Sequence, residues 1–445
     1  MAIALRSRLH ELVGSSACRT TAQLESLGIR RTDRQVAVGV RLPLAADPAR
    51  RLLAESLVDM LLRLDPLVGE VVIDMPGGHE FEWVAELARR VPFEQTDVKA
   101  LPEFCVGVGD FDGAALLVDG AGWLAGIRST VEAKDDGNPV GPLAAAALGA
   151  AEIFKWAFSE VHTEPSTAPE LREWSGVFSL SSYAFDLANP PMGPVNLDAT
   201  LVGLGGVGAG VLRVIAALGS RVTGTLALVD ADMLTVHNLN RVSYSSTQAA
   251  EAGASKVEEA TRFLHMRSPN LTVTGFRETY GEFKLRTPLR KDRRYDVVVA
   301  GLDNDEARWE IQRDIPRILI DGATGRDMNT RVERVEFGRY GCLGCSRQMT
   351  RILEEDARDC DAPLDSRAPS LSFLSSFPGI LAAGELIKEA QGAFQLRGSF
   401  DHVFRYGPNP DLRGTPERRV DCTVGCSRSA KISQYHSKYP TERLG

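Results

Sequence analysis

Asn238 and Arg241 follow a glycine-rich run and offer an amide and a guanidinium to an anion. The run itself reads DATLVGLGGVGAGVLRVIAALG from Asp198. Gly203, Gly205, Gly206 and Gly208 let the backbone come close to phosphate, and a helix starting at about Gly208 offers it unpaired N–H groups. Asp230 ends the next apolar run, TLALVD, where a ribose-binding carboxylate belongs. Glycines plus Asp230 fit a nicotinamide dinucleotide as well as a nucleoside triphosphate. Asn238-x-x-Arg241 is not something a nicotinamide site requires. It sets an amide and a guanidinium beside a triphosphate, where charge develops during nucleotidyl transfer. The alternative for this pair is a surface loop with a solvated arginine.

Lys256, in GASK at an expected helix start, could reach the phosphates as a point charge or stand solvated. Asp303, in VVVAGLDND, lies just past the carboxyl end of a strand, where ligands bind in open α/β sheets. It is a candidate for Mg²⁺, with Asp232 a second, and a turn-forming Asp-Asn is the alternative. Cys342-Leu-Gly-Cys345 and Cys422-Thr-Val-Gly-Cys426 can supply four thiolates to a tetrahedral, structural Zn²⁺. Such a closed site contributes on the order of 10 kcal/mol to local folding. Cys360 lies in the polar stretch EEDARDCDAP and is a candidate nucleophile. Its neighbours Asp359 and Asp361 would raise its pKa, and Arg358 could offset them.

The elements that must position these groups fall into two halves. In the first, QVAVGVRL and EVVIDM read as strands, and RLLAESLVDMLLRL and WVAELARRV carry apolar residues at helical spacing. No phosphate loop is present there, since Gly77-Gly78 lacks the other spaced glycines. MAIALRSRLHELV alternates charged and apolar residues at helical spacing. A proline-bearing connector is expected over 162–194. From Val195, ATLVGL, TLALVD, LTVTGF, DVVVAGL and RILIDG are strands with helices between, which points to a mainly parallel, doubly wound sheet. FPGILAAGELIKEA, from Phe377, echoes GPLAAAALGAAEIFKWA, from Gly141, each with a Glu-x-x-Lys (Glu385/Lys388 and Glu152/Lys155). Either the chain holds two copies of one fold or small-residue helices simply look alike.

With 445 residues, 44% of them hydrophobic, two or three domains are possible. The net charge of −8 argues against nucleic acid as the main partner. No long uncharged apolar run suggests a membrane span, and no signal-peptide core is read at the start. A cytoplasmic location is therefore expected. Seven cysteines, four of them in two close pairs, then favour metal and catalytic thiols over disulfides.

Taken in order, GLGGVG, VDADMLTVHNLNR, GASK, GLDN, GCLGC, a cysteine before CDAP, the AAGELIK helix and a final cysteine pair resemble the adenylating superfamily of ubiquitin-activating enzymes. Bacterial activators of sulfur carriers belong to the same superfamily. The likeness runs from Asp198 to Cys426. It implies that Gly203 to Gly208 cradle the phosphates of ATP and that Asp230 binds the ribose. It also implies that Asn238, Arg241 and Lys256 stabilise charge at the α-phosphate, that Asp303 binds Mg²⁺, that Cys360 forms a thioester or persulfide, and that the four paired cysteines hold zinc. Val242 stands where the family commonly has Gln. The family also supplies an arginine from a neighbouring domain or subunit, for which Arg30, Arg31 and Arg34 are candidates.

The resemblance implies two Rossmann-like adenylation domains in tandem: an inactive one over 1–161, the connector over 162–194, and an active one over 195–445. This is similar to bacterial activating enzymes of ubiquitination-like antiphage operons. The partners implied are the C-terminal tail of a ubiquitin-like protein and a conjugating enzyme, with the chain a monomer or homodimer. The other readings are a sulfur-carrier adenylyltransferase without a thioester relay, a nicotinamide oxidoreductase, and a non-catalytic scaffold for a ubiquitin-like protein.

Overall fold

The computed structural model describes residues 2–13, 35–43, 46–65, 67–74, 82–161, 173–286, 297–314, 316–325, 328–337, 341–346, 371–392, 400–405 and 412–413. They build two eight-stranded sheets. The first contains β1 (Ala2–Ser7), β2 (Val36–Arg41), β3 (Val68–Asp74), β4 (Phe93–Val98), β5 (Cys105–Val108), β6 (Leu116–Ala121), β7 (Leu124–Ile127) and β8 (Gly176–Ser179), in the order β4-β1-β3-β2-β5-β6-β7-β8. Its helices are α1 (Leu9–Val13), α2 (Pro48–Leu62), α3 (Glu82–Arg90) and α4 (Val140–Val161).

The second sheet contains β9 (Val195–Val202), β10 (Val222–Val229), β11 (Leu271–Phe276), β12 (Val297–Ala300), β13 (Ile318–Gly325), β14 (Asn329–Glu336), β15 (Phe400–Arg405) and β16 (Leu412–Arg413). Its order is β11-β10-β9-β12-β13-β14-β15-β16. The helices are α5 (Gly206–Leu218), α6 (Thr247–Glu251), α7 (Lys256–Arg267), α8 (Tyr280–Arg286), α9 (Asp305–Arg313), α10 (Leu343–Ser346) and α11 (Ser372–Gln391).

β9, β10 and β12 are parallel neighbours at the centre of the second sheet. All four residues of β12 are buried, so its sequence shows no polar alternation. The chain steps outward one way from β9 to β10 and β11, then crosses back to β12 and β13. The strand order therefore switches between β9 and β12, where such sheets leave a crevice at the carboxyl ends of their strands.

Three expectations need correcting. The five strands expected from Val195 do pair in parallel, β11-β10-β9-β12-β13, but each sheet as a whole is mixed, because antiparallel strands extend each parallel centre: β7 and β8 in the first sheet, and β14, β15 and β16 in the second. The opening residues form strand β1 before the short α1, with β1 antiparallel between β3 and β4. The connector expected over 162–194 is not connector throughout, since β8 pairs with β7 and Phe178 is buried.

The two sheets share a plan. β3-β2-β5-β6-β7 occupy the places in the first sheet that β10-β9-β12-β13-β14 occupy in the second. α4 follows β7 and precedes β8, as α11 follows β14 and precedes β15. Each of these helices buries its Glu-x-x-Lys as an ion pair, Glu152 with Lys155 and Glu385 with Lys388, the latter at 2.7 Å. Burial lowers both lysine pKa values, and the glutamates oppose it.

The corresponding helices also meet. The Phe154 and Phe373 rings of α4 and α11 lie 5.4 Å apart. Ser372 donates to the Met60 carbonyl at 2.9 Å, and Tyr183 donates to Glu385 at 2.8 Å. Within the second half, a Cβ on Gly379 would come within 2.1 Å of the Val207 carbonyl, so only glycine permits α11 to lie this close to α5. Among the described residues no helix is long and apolar enough to cross a membrane.

Candidate nucleotide site

The turn after β9 is built from glycines with different jobs. Gly203 has φ +88°, and a Cβ there would meet the Gly301 carbonyl at 2.7 Å. A Cβ on Gly208 would lie 2.2 Å from the Gly203 carbonyl. These two let the β9 turn, the start of α5 and the end of β12 pack together. Gly206 faces Ser375 of α11, 2.6 Å from where its Cβ would stand.

Gly205 is different. Its backbone is extended, φ −71°, and nothing lies within 4 Å of a Cβ built on it. Neither strain nor packing requires glycine there, and a side chain would project into open space. Gly205 caps α5 without a side-chain hydrogen bond, leaving the first-turn N–H groups to that space. The helix begins at Gly206, two residues earlier than the sequence suggested. Gly205→Ala should fold with an unchanged melting temperature yet bind Mg-ATP at least about tenfold more weakly, since a methyl would stand where phosphate must approach. Calorimetric titration checks this, and unchanged affinity would remove Gly205 from the site.

Asp230 follows the last residue of β10, which pairs with Val202 at the end of β9. It accepts from the Leu204 N–H at 2.7 Å and the Asp232 N–H at 2.8 Å. Burial pushes its carboxyl pKa up, and Lys256 opposes this. Lys256 is the first residue of α7, after the N-cap Ser255, and its Nζ lies 2.6 Å from Asp232 and 3.8 Å from Asp230. Glycine turn, Asp230, Asp232 and Lys256 therefore form one cluster. Asp232 is 69% exposed, so Lys256 can exchange this partner for a phosphate.

Asn238 and Arg241 sit on a short 3₁₀ turn. The Asn238 side-chain oxygen accepts from the N–H and hydroxyl of Thr235 at 3.0 and 3.3 Å, which fixes the turn. Its NH₂ group is what it can offer an anion. Arg241 donates to the His237 carbonyl at 3.0 Å and to Asn240 at 2.8 Å, and its Cβ is 3.4 Å from where one would stand on Gly206. The Arg241 Cβ thus stands beside the start of α5, while its guanidinium is held in orientation by its own turn. Val242, at the departure from the family pattern, is fully buried. Tyr244 was not singled out from the sequence, yet its hydroxyl donates to the Leu204 carbonyl at 2.8 Å and braces the glycine turn. An aromatic three residues after Arg241 was the only available signal.

Asp303 is exposed just beyond β12 and accepts from Asn304 at 3.3 Å, while Asn304 caps α9. No described contact joins Asp303 to the Lys256 cluster. Cys342 and Cys345 are buried with sulfurs 3.9 Å apart, far beyond a disulfide bond. Four sulfurs about 2.3 Å from a zinc ion stand roughly 3.8 Å from one another, so this pair fits half of such a site. Cys422, Cys426, Cys360, Arg30, Arg31 and Arg34 lie outside the described residues. Among the described residues no group of three or more His, Cys, Asp or Glu side chains forms a metal cluster.

The ThiF family model matches residues 195–403, from the first residue of β9 into β15. Residues 195–403 are a ThiF family domain. The ThiF domain therefore contains all of the cluster just described. Among curated proteins, ubiquitin-like modifier-activating enzyme 5 of Caenorhabditis elegans is 28% identical over 158 residues, 33% of this chain and 36% of that protein. The Nedd8-activating enzyme E1 catalytic subunit of Drosophila melanogaster is 28% identical over 202 residues, 45% of this chain and 42% of that protein. The chain spans about a third to just over half of the length of the curated relatives it matches. Among solved structures, E. coli MccB with ATP aligns at a TM-score of 0.39 and 18% identity, covering 52% of this chain and 65% of that one.

The first half contrasts with the ThiF domain at the equivalent place. Asp47 caps α2, accepting from the Arg50 N–H at 2.8 Å, so a carboxylate already occupies that helix start. Arg50 also grips the fully buried Asp119 through two bonds of 3.0 and 3.1 Å. Arg41, the last residue of β2, lies 3.4 Å from Asp74 and over the Phe111 ring.

Proposed function

We propose that the chain is an ATP-dependent activating enzyme for a ubiquitin-like protein. The observation that carries this reading is the open space over Gly205, faced by the uncapped start of α5 and flanked by Arg241, with Asp230 and Lys256 on the adjoining strand end and helix. The triphosphate of ATP lies along the start of α5 and Asp230 takes the ribose hydroxyls. The partner's C-terminal carboxylate attacks the α-phosphorus and pyrophosphate leaves, giving an acyl-adenylate. Arg241, Lys256 and the NH₂ group of Asn238 hold the negative charge that grows on the phosphate oxygens. Asp303, with Asp232 as the alternative, would hold Mg²⁺, which neutralises phosphate charge when bound. The relatives named as ubiquitin-like modifier-activating enzymes support the choice of partner.

Cys360 is proposed to take the next step. Its thiolate attacks the acyl carbon, AMP leaves, and the thioester passes to a cysteine of a conjugating enzyme. Cys342, Cys345, Cys422 and Cys426 would hold a structural Zn²⁺. The first half, over 1–161 with β8 added from the connector, is proposed to be an adenylation-like domain without a nucleotide. Asp47, Arg50 and Arg41 occupying its crevice support this. We propose a cytoplasmic, antiviral ubiquitination-like pathway as its setting.

The test uses Mg-ATP, a ubiquitin-like protein as acceptor, and wild-type and Cys360→Ala chains. A thiol-sensitive adduct with wild type alone is expected. Pyrophosphate exchange in both proteins without an adduct would reduce the function to adenylation. Neither signal, with no ATP bound, would overturn the enzyme reading.

A further inference from the structure

Two parts of the candidate site that must grip one triphosphate, α5 and the Asn238–Arg241 turn, are both tied to the same helix of the first half. Arg63 follows α2 directly, is 1% exposed, and donates through Nη1 to the Leu239 carbonyl, inside the turn. Its Nε and Nη2 donate to one oxygen of Asp59 at 3.1 and 3.0 Å. The other Asp59 oxygen accepts from Arg213 of α5 at 2.6 Å, and Arg213 also donates to Ser56 at 3.0 Å. Arg90 of α3 donates to the Ser243 carbonyl at 3.4 Å and to Glu55 at 3.1 Å. Main-chain carbonyls on both sides of Arg241 are thus held by arginines of the other half.

The charges explain the arrangement. Three guanidiniums, Arg63, Arg90 and Arg213, share the carboxylates Asp59 and Glu55. The excess positive charge is directed at the carbonyls of Leu239 and Ser243, which lie in the segment that presents Arg241. A planar guanidinium can hold Asp59 with two N–H groups and Leu239 with a third at fixed angles, whereas an ammonium lacks that fork.

We infer that Asp59 and Arg63 are positioning residues: they set the distance between the start of α5 and Arg241, and so tune the grip on the triphosphate from the nucleotide-free half. This rests on the ATP reading above. Asp230, on the end of β10, is outside the network, so contacts to the nucleoside should not depend on it.

The experiment is calorimetric titration of the full chain with Mg-ATP and with adenosine, for wild type, Arg63→Lys and Arg90→Met, well below each melting temperature. Wild type should bind Mg-ATP, and Arg63→Lys should weaken it about tenfold while changing adenosine affinity less than about twofold. Arg90→Met should show the same split more weakly, and decides the matter if Arg63→Lys does not fold. Equal losses for ATP and adenosine, or no loss in folded protein, would overturn the inference and leave the ATP reading standing. Failure of wild type to bind Mg-ATP would overturn both.

Discussion

Arg241→Ala should lower ATP–pyrophosphate exchange by about 10²- to 10³-fold, the loss seen when one preorganised donor to a developing oxyanion is removed. Its effect on Mg-ATP affinity should be smaller, about tenfold, because the ground-state triphosphate retains the start of α5 and Lys256. The separation follows from geometry. Arg241 is already held by the His237 carbonyl and Asn240 before any ligand arrives, so little reorganisation remains when charge develops. Arg241→Lys should recover only part of the rate, since an ammonium cannot reproduce the fork. Initial exchange rates, with binding measured on the same preparations, provide the check. Exchange that stays within twofold of wild type would show that Arg241 is a structural residue of its turn.

Asp59→Ala should destabilise the chain by about 3–5 kcal/mol, because it leaves Arg63 and Arg213 buried without their shared carboxylate. A fall in melting temperature of roughly 3–5 °C is expected for a chain of 445 residues unfolding as one unit. The pH dependence of this contact has a definite sign. Burial alone would raise the Asp59 pKa, but Arg63, Arg213 and Arg90 bring it down to about 2. A folded value below the unfolded one of about 3.9 makes the contribution complete above that value and lost as pH falls through about 2. It amounts to on the order of 2–3 kcal/mol. Thermal melts of wild type and Asp59→Ala should therefore differ by a constant amount from pH 7 down to pH 5. A gap that narrows across that range would mean that Asp59 is not the low-pKa centre of the network.

The second sheet was largely legible before its coordinates. β9, β10 and β12 are apolar runs, and the glycine turn, Asp230 and the GASK helix start each leave a local trace. The two jobs of the glycines were not legible. Only the surroundings show that Gly208 is required by packing while Gly205 faces open space. Most of the first sheet's edge was missed for a physical reason. β4 is FEQTDV, exposed over its central four residues, and shows no apolar face. β1 was mistaken because the apolar residues of AIALRSRL suit either period, and pairing between β3 and β4 decided it. Asp59 and Arg63 look like an ordinary helix-surface pair four residues apart. Nothing local reveals that Arg213, 154 residues away, completes them.

Carrying both sheets on one polypeptide has a consequence for dose. Partners that meet by diffusion come apart on dilution, whereas a covalent tether keeps its two ends at an effective concentration of roughly millimolar. The Asp59–Arg63–Arg213 contact should therefore persist in a cell that holds only a handful of copies. Tethering also removes the requirement that the two sheets stay alike. A symmetric pair encoded by one gene must change both sites at once, whereas here Asp47 and Arg50 pack the start of α2 while Gly205 leaves the start of α5 open.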